Sequence, residues 1–177
     1  MKTYKRGRFG GILDGSEKID LFKVLRWKLF QRPPSSPSAV IPLERCDNAA
    51  ALQQKGDFIC WLSHASFLIQ LGGKRIIIDP VFGDIPFYKR QVPPPYDLET
   101  LGKVDYLLIS HTHYDHFDAA SVKQLKARHP CAIVPLQMRR VIHKTAPSLS
   151  CRELDWYESF NDGELSITLV PAKHWGR

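Results

Sequence analysis

Apolar and polar positions change their period several times along this chain. Residues 18–30, KIDLFKVLRWKLF, place Ile19, Phe22, Leu25, Leu29 and Phe30 near helical spacing, with Lys23, Arg26 and Lys28 between them. That spacing predicts a short helix whose two faces are not cleanly separated. Three readings stay open for it: a helix packed on the body with its lysines in solvent, an interfacial helix on anionic lipid, or a contact with a partner. Residues 33–42, PPSSPSAVIP, hold four prolines and three serines. They predict an irregular connector, because proline removes a donor and biases its predecessor away from helix. Residues 1–42 therefore read as an arm with its connector, and 43–177 as the body.

The body opens with strand-like runs, FICWL at 58–62 and SFLIQL at 66–71. Gly72-Gly73 is a hairpin turn signal, and KRIII follows at 74–78 before Asp79-Pro80 stops the strand. VDYLLI at 104–109 shows little alternation, which predicts a central strand covered on both faces. A helix is expected over 118–128, capped by Asp118, with Val122 and Leu125 on its apolar edge. CAIVP at 131–135 predicts a strand, 136–144 a second helix ended by Pro147, and LSITLV at 165–170 a last strand. Strands and helices alternate after the first hairpin, so a layered α/β body is expected.

Composition narrows this picture. The chain has 177 residues, 44% of them hydrophobic and 24% charged, which suits one globular domain with an appended arm. No run of 18 apolar residues occurs, so no membrane span is expected. MKTYKRGRFGGILDGSEK is basic without an apolar stretch behind it and does not read as a secretory signal. Cys46, Cys60, Cys131 and Cys151 form no C-x-x-C pair. They argue against a disulfide framework or a thiolate zinc site and point to reduced thiols in the cytoplasm.

The formal charge is +7, and its placement matters more than its size. Residues 1–32 hold nine basic and three acidic residues, and the remaining chain sixteen and fifteen. A nearly neutral body argues against nucleic acid as partner. The charged arm fits a local anionic contact, peripheral to the inner face of a membrane or on a partner.

Candidate chemistry concentrates where the central strand ends. His111, His113, Asp115 and His116 fall within six residues, immediately after VDYLLIS. Imidazoles and a carboxylate are ligands suited to zinc. His111 and His113, two apart in an extended segment, point to one side and can hold one ion. Asp115 and His116 follow a change of direction and can reach a second, so that the two ions share a hydroxide. His174 follows an apolar run, as the first cluster does, and is the best distal ligand. His64, in the turn of WLSHASFLIQ, is a candidate for contacting substrate or supporting a ligand; a turn histidine satisfying backbone carbonyls is the equal alternative. Asp79 is a candidate for orienting a ligand's distal N–H, with a plain turn cap as the competing reading. Trp61, Trp175 and Tyr114 read as packing residues, and His129 and His143 as surface residues. H-E-x-x-H, G-x-x-x-x-G-K-[ST] and G-x-S-x-G are all absent.

ISHTHYDHFD resembles the H-x-H-x-D-H signature of the metallo-β-lactamase superfamily. WLSHASFLIQLGGKRIIIDPVF, VPPPYDLETLGKVDYLLISHTHYDHFD and PAKHW are similar to the branch that includes N-acylphosphatidylethanolamine-hydrolysing phospholipase D and its bacterial relatives. The resemblance implies an αβ/βα sandwich with two zinc ions at one edge. His111, His113 and His174 match the ligands of the first zinc, and Asp115 and His116 match ligands of the second. Asp115 would also orient the nucleophile, a metal-bound hydroxide. The family completes its second site from a C-terminal half, and this chain ends three residues past His174. The expectation is therefore the N-terminal portion of such a domain, carrying one or two of the zinc ions. The function implied is a zinc-dependent phosphodiesterase of phospholipase D type. The alternatives are hydrolysis of lactone, amide or nucleic-acid phosphodiester bonds, or a non-catalytic zinc-binding piece of a longer enzyme.

Overall fold

The computed structural model describes residues 4–5, 8–9, 21–31, 49–86, 88, 90, 93–172 and 174. The chain divides into two compact units, Met1–Arg45 and Cys46–Arg177. In the first, β1 (Tyr4–Lys5) pairs antiparallel with β2 (Arg8–Phe9), and α1 spans Leu21–Phe30. The connector 33–42 and the first three positions of the predicted helix lie outside the described residues. Phe22, Leu25, Trp27, Leu29 and Phe30 are each more than half exposed. Arg26 falls among the apolar positions and Trp27 opposite them, so no single face of α1 is uniformly apolar.

In the second unit a 3-10 turn at Ala49–Gln53 leads into the main sheet. Its strands are β3 (Phe58–Ser63), β4 (Ser66–Leu71), β5 (Lys74–Ile78), β6 (Tyr106–Leu108), β7 (Cys131–Pro135) and β8 (Cys151–Leu154). They lie in sequence order as one six-stranded sheet. The first three pair antiparallel and the last four parallel, with β5 common to both runs. Gly72 and Gly73 close the β4–β5 hairpin at φ 55° and 75°, the conformation that a two-residue turn of this hand requires. The parallel strands need crossovers, supplied in part by α2 (Ala119–Leu125) and α3 (Arg139–Thr145).

The main core lies between one sheet face and these helices. Leu62, Leu68, Ile77, Leu107, Ala132 and Val134 of the sheet meet Val122, Leu125 and Ile142 of the helices, all nearly inaccessible. Each such large side chain contributes about 1.5–3 kcal/mol on burial. On the opposite face Ile76, Tyr106, Ile133 and Leu154 pack against Phe160, Ile167 and Leu169. This second layer is an antiparallel pair, β9 (Ser159–Asn161) and β10 (Ser166–Thr168), separate from the main sheet. The middle of the sheet is therefore covered on both sides, which accounts for the unbroken apolar run ahead of the histidines.

Several expectations are trimmed. The strand predicted over 165–170 is three residues long and pairs only with β9. The helix predicted over 118–128 turns 3-10 at Lys126–Arg128 and stops where His129 adopts φ 52°. β8 and β9 carried no signal, because CREL and SFN are short and polar at alternate positions.

The hairpin is tied down by charge. The Tyr106 hydroxyl donates to Asp162. Lys74 reaches Asp162 at 3.6 Å and Glu164 at 3.1 Å. Burial, then the Asp162 carboxylate, pushes the Tyr106 hydroxyl up to about 12. The Tyr106 hydrogen bond, with backbone donors from Leu165 and Glu164, holds the Asp162 carboxyl well below its ordinary range.

Candidate metal centre

The parallel strands β5 and β6 end side by side, and the residues that follow them build the site. Carboxyl ends of parallel strands are where open α/β sheets place their ligands. After β5 comes Asp79, buried, at φ 41°. After β6 comes the loop Ser110–Phe117, folded back by His116 and Phe117 amides donating to the His113 carbonyl at 3.0 and 2.8 Å. Asp118 then caps α2, accepting from the Ala120 amide at 3.0 Å and from the Ser121 hydroxyl at 2.6 Å. Its Oδ2 also takes the Gly83 amide at 3.2 Å, while Ser121 Oγ takes the Phe82 amide at 3.0 Å. The cap thus joins the two loops at the rim.

Five candidate residues and His64 form two triads there. His111, His113 and His174 bring one ligand atom each within 4.8 Å of one another, and so do His64, Asp115 and His116. In the first, His113 Nδ1 stands 2.8 Å from His111 Nε2 and 3.2 Å from His174 Nε2. Ligands about 2.0–2.1 Å from a tetrahedral zinc are separated by roughly 3.3 Å, so these spacings suit one ion. In the second, Asp115 Oδ2 lies 3.2 Å from His64 Nε2 and 3.8 Å from His116 Nε2. The rings of His111 and His116, 4.2 Å apart, join the two triads.

Asp79 fixes the chemistry of both. Its Oδ2 lies 2.8 Å from His116 Nδ1 and accepts from the Ser110 hydroxyl at 2.5 Å; its Oδ1 accepts the Ser110 amide at 2.7 Å. An ionised carboxylate only accepts, so His116 carries its proton on Nδ1 and offers a lone pair at Nε2. The Ser110 proton is committed to Asp79, so Ser110 Oγ accepts from His111 Nδ1 at 2.9 Å. His111 Nε2 is then a lone pair aimed into the first triad. One buried carboxylate sets a tautomer in each triad, the arrangement that orients metal-binding imidazoles.

Electrostatics point the same way. Burial first, then the neighbouring His116, His113 and His174, lowers the His111 imidazole to about 4, so it is neutral at pH 7. At Asp115 burial acts upward, but its own backbone N–H, the His64 hydrogen bond and nearby His116 outweigh it and hold the carboxyl below its ordinary value. A neutral His111 imidazole and an ionised Asp115 carboxylate are donors that a divalent zinc-like ion takes.

The turn carrying His64 is irregular. The β3–β4 register shifts between Trp61 and Ser63, and Ser63 and His64 adopt φ 116° and 48°. Such backbone costs about 1–3 kcal/mol per residue and persists only where its surroundings hold it. Here Trp61 Nε1 donates to the His64 carbonyl at 2.9 Å. Arg90 donates to Ser63 Oγ at 2.7 Å and to the Val81 and Gly83 carbonyls at 3.1 and 2.7 Å. Trp61, expected as a packing residue, is half exposed and serves as this brace. His129 and His143 are exposed and away from both triads; Trp175 lies outside the described residues. Ser110 and Arg90 were not foreseen. Ser110 stands beside the histidines in sequence and could have been suspected; Arg90 carries no sequence signal, because only folding brings it to Ser63.

Residues 74–177 match the beta-lactamase superfamily domain. The chain is 32% identical over 178 residues to N-acyl-phosphatidylethanolamine-hydrolyzing phospholipase D 1 of Caenorhabditis elegans, an alignment covering 89% of this chain and 50% of that protein. It is 30% identical over 125 residues to the mitochondrial N-acyl-phosphatidylethanolamine-hydrolyzing phospholipase D of Saccharomyces cerevisiae, covering 65% and 26%. The chain spans about half the length of the first of these relatives, or less. Among solved structures, CmlA, a diiron beta-hydroxylase from Streptomyces venezuelae, superposes with TM-score 0.54 at 20% identity, over 67% of this chain and 24% of that one. A possible metal-dependent hydrolase from Veillonella parvula gives TM-score 0.54 at 16% identity, over 64% and 47%. These two likenesses concern the fold. With a mixed sheet flanked by helices and two candidate metal-binding triads at its rim, this chain belongs to the beta-lactamase superfamily and has the metallo-β-lactamase-like fold.

Proposed function

We propose that the chain carries the zinc-binding machinery of a hydrolase that cleaves phosphodiesters of the phospholipase D type. The observation that carries this reading is the pair of triads at one sheet rim, one of three imidazoles and one of two imidazoles with a carboxylate. His111, His113 and His174 would hold one zinc, and Asp115 and His116 would hold a second. Bound there, zinc lowers the pKa of a coordinated water towards neutrality and acts as a Lewis acid on the reacting oxygens. The protein's own part is orientation. Asp79 holds the His116 and His111 tautomers, and Asp115, kept ionised, accepts a proton-bearing group at the centre and fixes its direction. The loop rests on the buried β6, so the donors are placed before substrate arrives.

The substrate class is supported by the two relatives named for hydrolysing an N-acyl phosphatidylethanolamine. The arm agrees with a lipid substrate. α1 exposes Phe22, Leu25, Trp27, Leu29 and Phe30 beside Lys23, Arg26 and Lys28. Apolar side chains that enter an interface among cations suit an anionic bilayer. No helix among the described residues is long and apolar enough to cross a membrane, so the contact would be peripheral.

Elemental analysis of the freshly purified chain, beside turnover of bis(p-nitrophenyl) phosphate, a lactone and RNA, tests the reading. Bound zinc with metal-dependent turnover of the phosphodiester alone is the expected result. Turnover of the lactone or RNA instead reassigns the substrate. Zinc without turnover, regained in a protein of its relatives' full length, leaves this chain as a non-catalytic zinc-binding portion. Deleting residues 1–32 should weaken co-sedimentation with anionic vesicles; unchanged binding would remove the lipid contact.

A further inference from the structure

We propose that the cavity formed by Gln137, Arg139, Arg140, His143 and Glu153 binds the phosphate group of a small phosphate ester or of a lipid headgroup. None of these residues belongs to either triad, so the site stands apart from the hydrolase reading. Residues 119–152 hold seven lysines and arginines and no aspartate or glutamate. The other positions after residue 32 hold nine basic and fifteen acidic residues. The nearly neutral body therefore divides into an acidic majority and a basic layer. That layer carries α2 and α3, which pack on one face of the main sheet. A one-signed surface of this kind draws ligands of opposite charge.

The cavity measures about 400 Å³, room for a phosphate with its first substituents. α3 buries Ile142 in the core and leaves Arg139, Arg140 and His143 exposed. His143 stands four positions after Arg139 and three after Arg140, so the three share one surface of the helix. Guanidiniums present planar forks of N–H donors, and phosphate oxygens are their matching acceptors. The imidazole and the Gln137 amide can add donors. Gln137 adopts φ 70°, a conformation that favours glycine. Glycine would relieve that backbone but would take the amide out of the cavity. Glu153 is the one carboxylate in the lining, and its Oε1 accepts the Arg139 amide at 2.9 Å. Among the described residues, no ion pair takes up the Arg139 or Arg140 guanidinium. Burial pushes the Cys151 thiol up to about 11 against the pull of Arg139, so it brings no negative charge there. The cavity opens where β7 and β8 end, and these strands run parallel to β5 and β6. Carboxyl ends of parallel strands are the rim where such sheets receive ligands.

The competing role is a solvated basic surface that holds no ligand. The full chain would be titrated with sn-glycerol 3-phosphate at fixed ionic strength, and its backbone amide NMR shifts followed. The expected result is a saturable shift centred on Gln137, Arg139, Arg140 and His143. Arg139→Gln with Arg140→Gln should weaken binding by more than about tenfold, because two charge-assisted donors are lost. Amides unshifted elsewhere show that the variant is folded. Arg140→Gln alone, which spares the contact between Arg139 and Cys151, should weaken binding about threefold. Phosphate also has affinity for zinc, so the titration is repeated on His111→Ala with His113→Ala. The cavity shifts should persist there, and failure of the hydrolase reading would leave this site standing. A wild-type chain without a saturable shift at the cavity would overturn the proposal. So would shifts confined to residues 110–117 that vanish with His111 and His113, or a double Gln variant that binds within twofold of wild type. Retention of RNA that glycerol phosphate does not displace would overturn it in favour of a nucleic-acid surface. Co-sedimentation with phosphatidylcholine vesicles containing phosphatidic acid separates the two sources. Weaker co-sedimentation of the double variant assigns the lipid headgroup, equal co-sedimentation assigns a soluble phosphate ester, and both support the site.

Discussion

The two triads share a plan and differ in how the chain reaches them. Each takes two residues from the loop Ser110–Phe117 and one from far away in sequence. The distant member of the first is His174, exposed, and delivered from beyond a two-stranded hairpin that stands apart from the main sheet. The distant member of the second is His64, set in the turn between β3 and β4 of that sheet and held by Trp61 and Arg90. A group whose distant member stands in the main sheet is held by that sheet, whereas one completed from outside it must order a separate segment. The difference teaches that local spacing nominates ligands, while rigidity is decided by what holds the remote one.

The largest expected effect breaks the comparison outright. Replacing His111 and His113 by alanine should empty the first triad and drop hydrolysis to background, with zinc per chain falling alongside. An unchanged zinc content would sink the assignment of both histidines. Next, Leu107→Ala removes a fully buried side chain from the strand under the loop. It should cost about 2–5 kcal/mol of stability, read as a lower denaturant midpoint, and it should weaken both triads together. Asp79→Asn then tests their shared support. Metal affinity should fall roughly 10–100-fold, more in the second triad, where Asp79 meets His116 directly, than in the first, where Ser110 intervenes. Equal losses would show that the relay through Ser110 is as stiff as direct contact.

Smaller effects sharpen the contrast. Arg90→Lys cannot serve Ser63, Val81 and Gly83 at once. It should weaken the second ion by about tenfold, near the roughly 1.5 kcal/mol that a charge-assisted hydrogen bond contributes, and leave the first untouched. The smallest concerns pH and neither triad. The Asp162 carboxyl is depressed when folded, so its contribution is present above the ordinary carboxylate range and fades as pH falls through that range. The Tyr106 hydroxyl is raised to about 12, so stability declines as pH climbs from 10, where the unfolded chain ionises first. Tyr106→Phe should flatten both limbs of a stability–pH curve while zinc content stays constant.

Much of the fold was readable where pattern and packing agree. The β3–β4–β5 run, β6, β7 and the cap at Asp118 stand close to where apolar runs, the glycine pair and the aspartate placed them. β8 and β9 escaped because short strands with half-polar faces look like loops. The strand expected before His174 belongs to the hairpin rather than to the main sheet, because pairing partners are chosen in three dimensions.

The amino-acid sequence by itself determined that His111, His113, Asp115 and His116 share one strand end, because neighbours in a chain cannot move far apart. It also determined which residue types could hold an ion there. Only the tertiary structure brought His174 to the first pair it was expected to join, turned His64 toward the second, and let Asp79 through Ser110 speak to both. Those relations join atoms that are 31, 51 and 61 residues apart. Their distances follow from strand order, register and a guanidinium closing two loops, none of which is written in any single stretch of sequence.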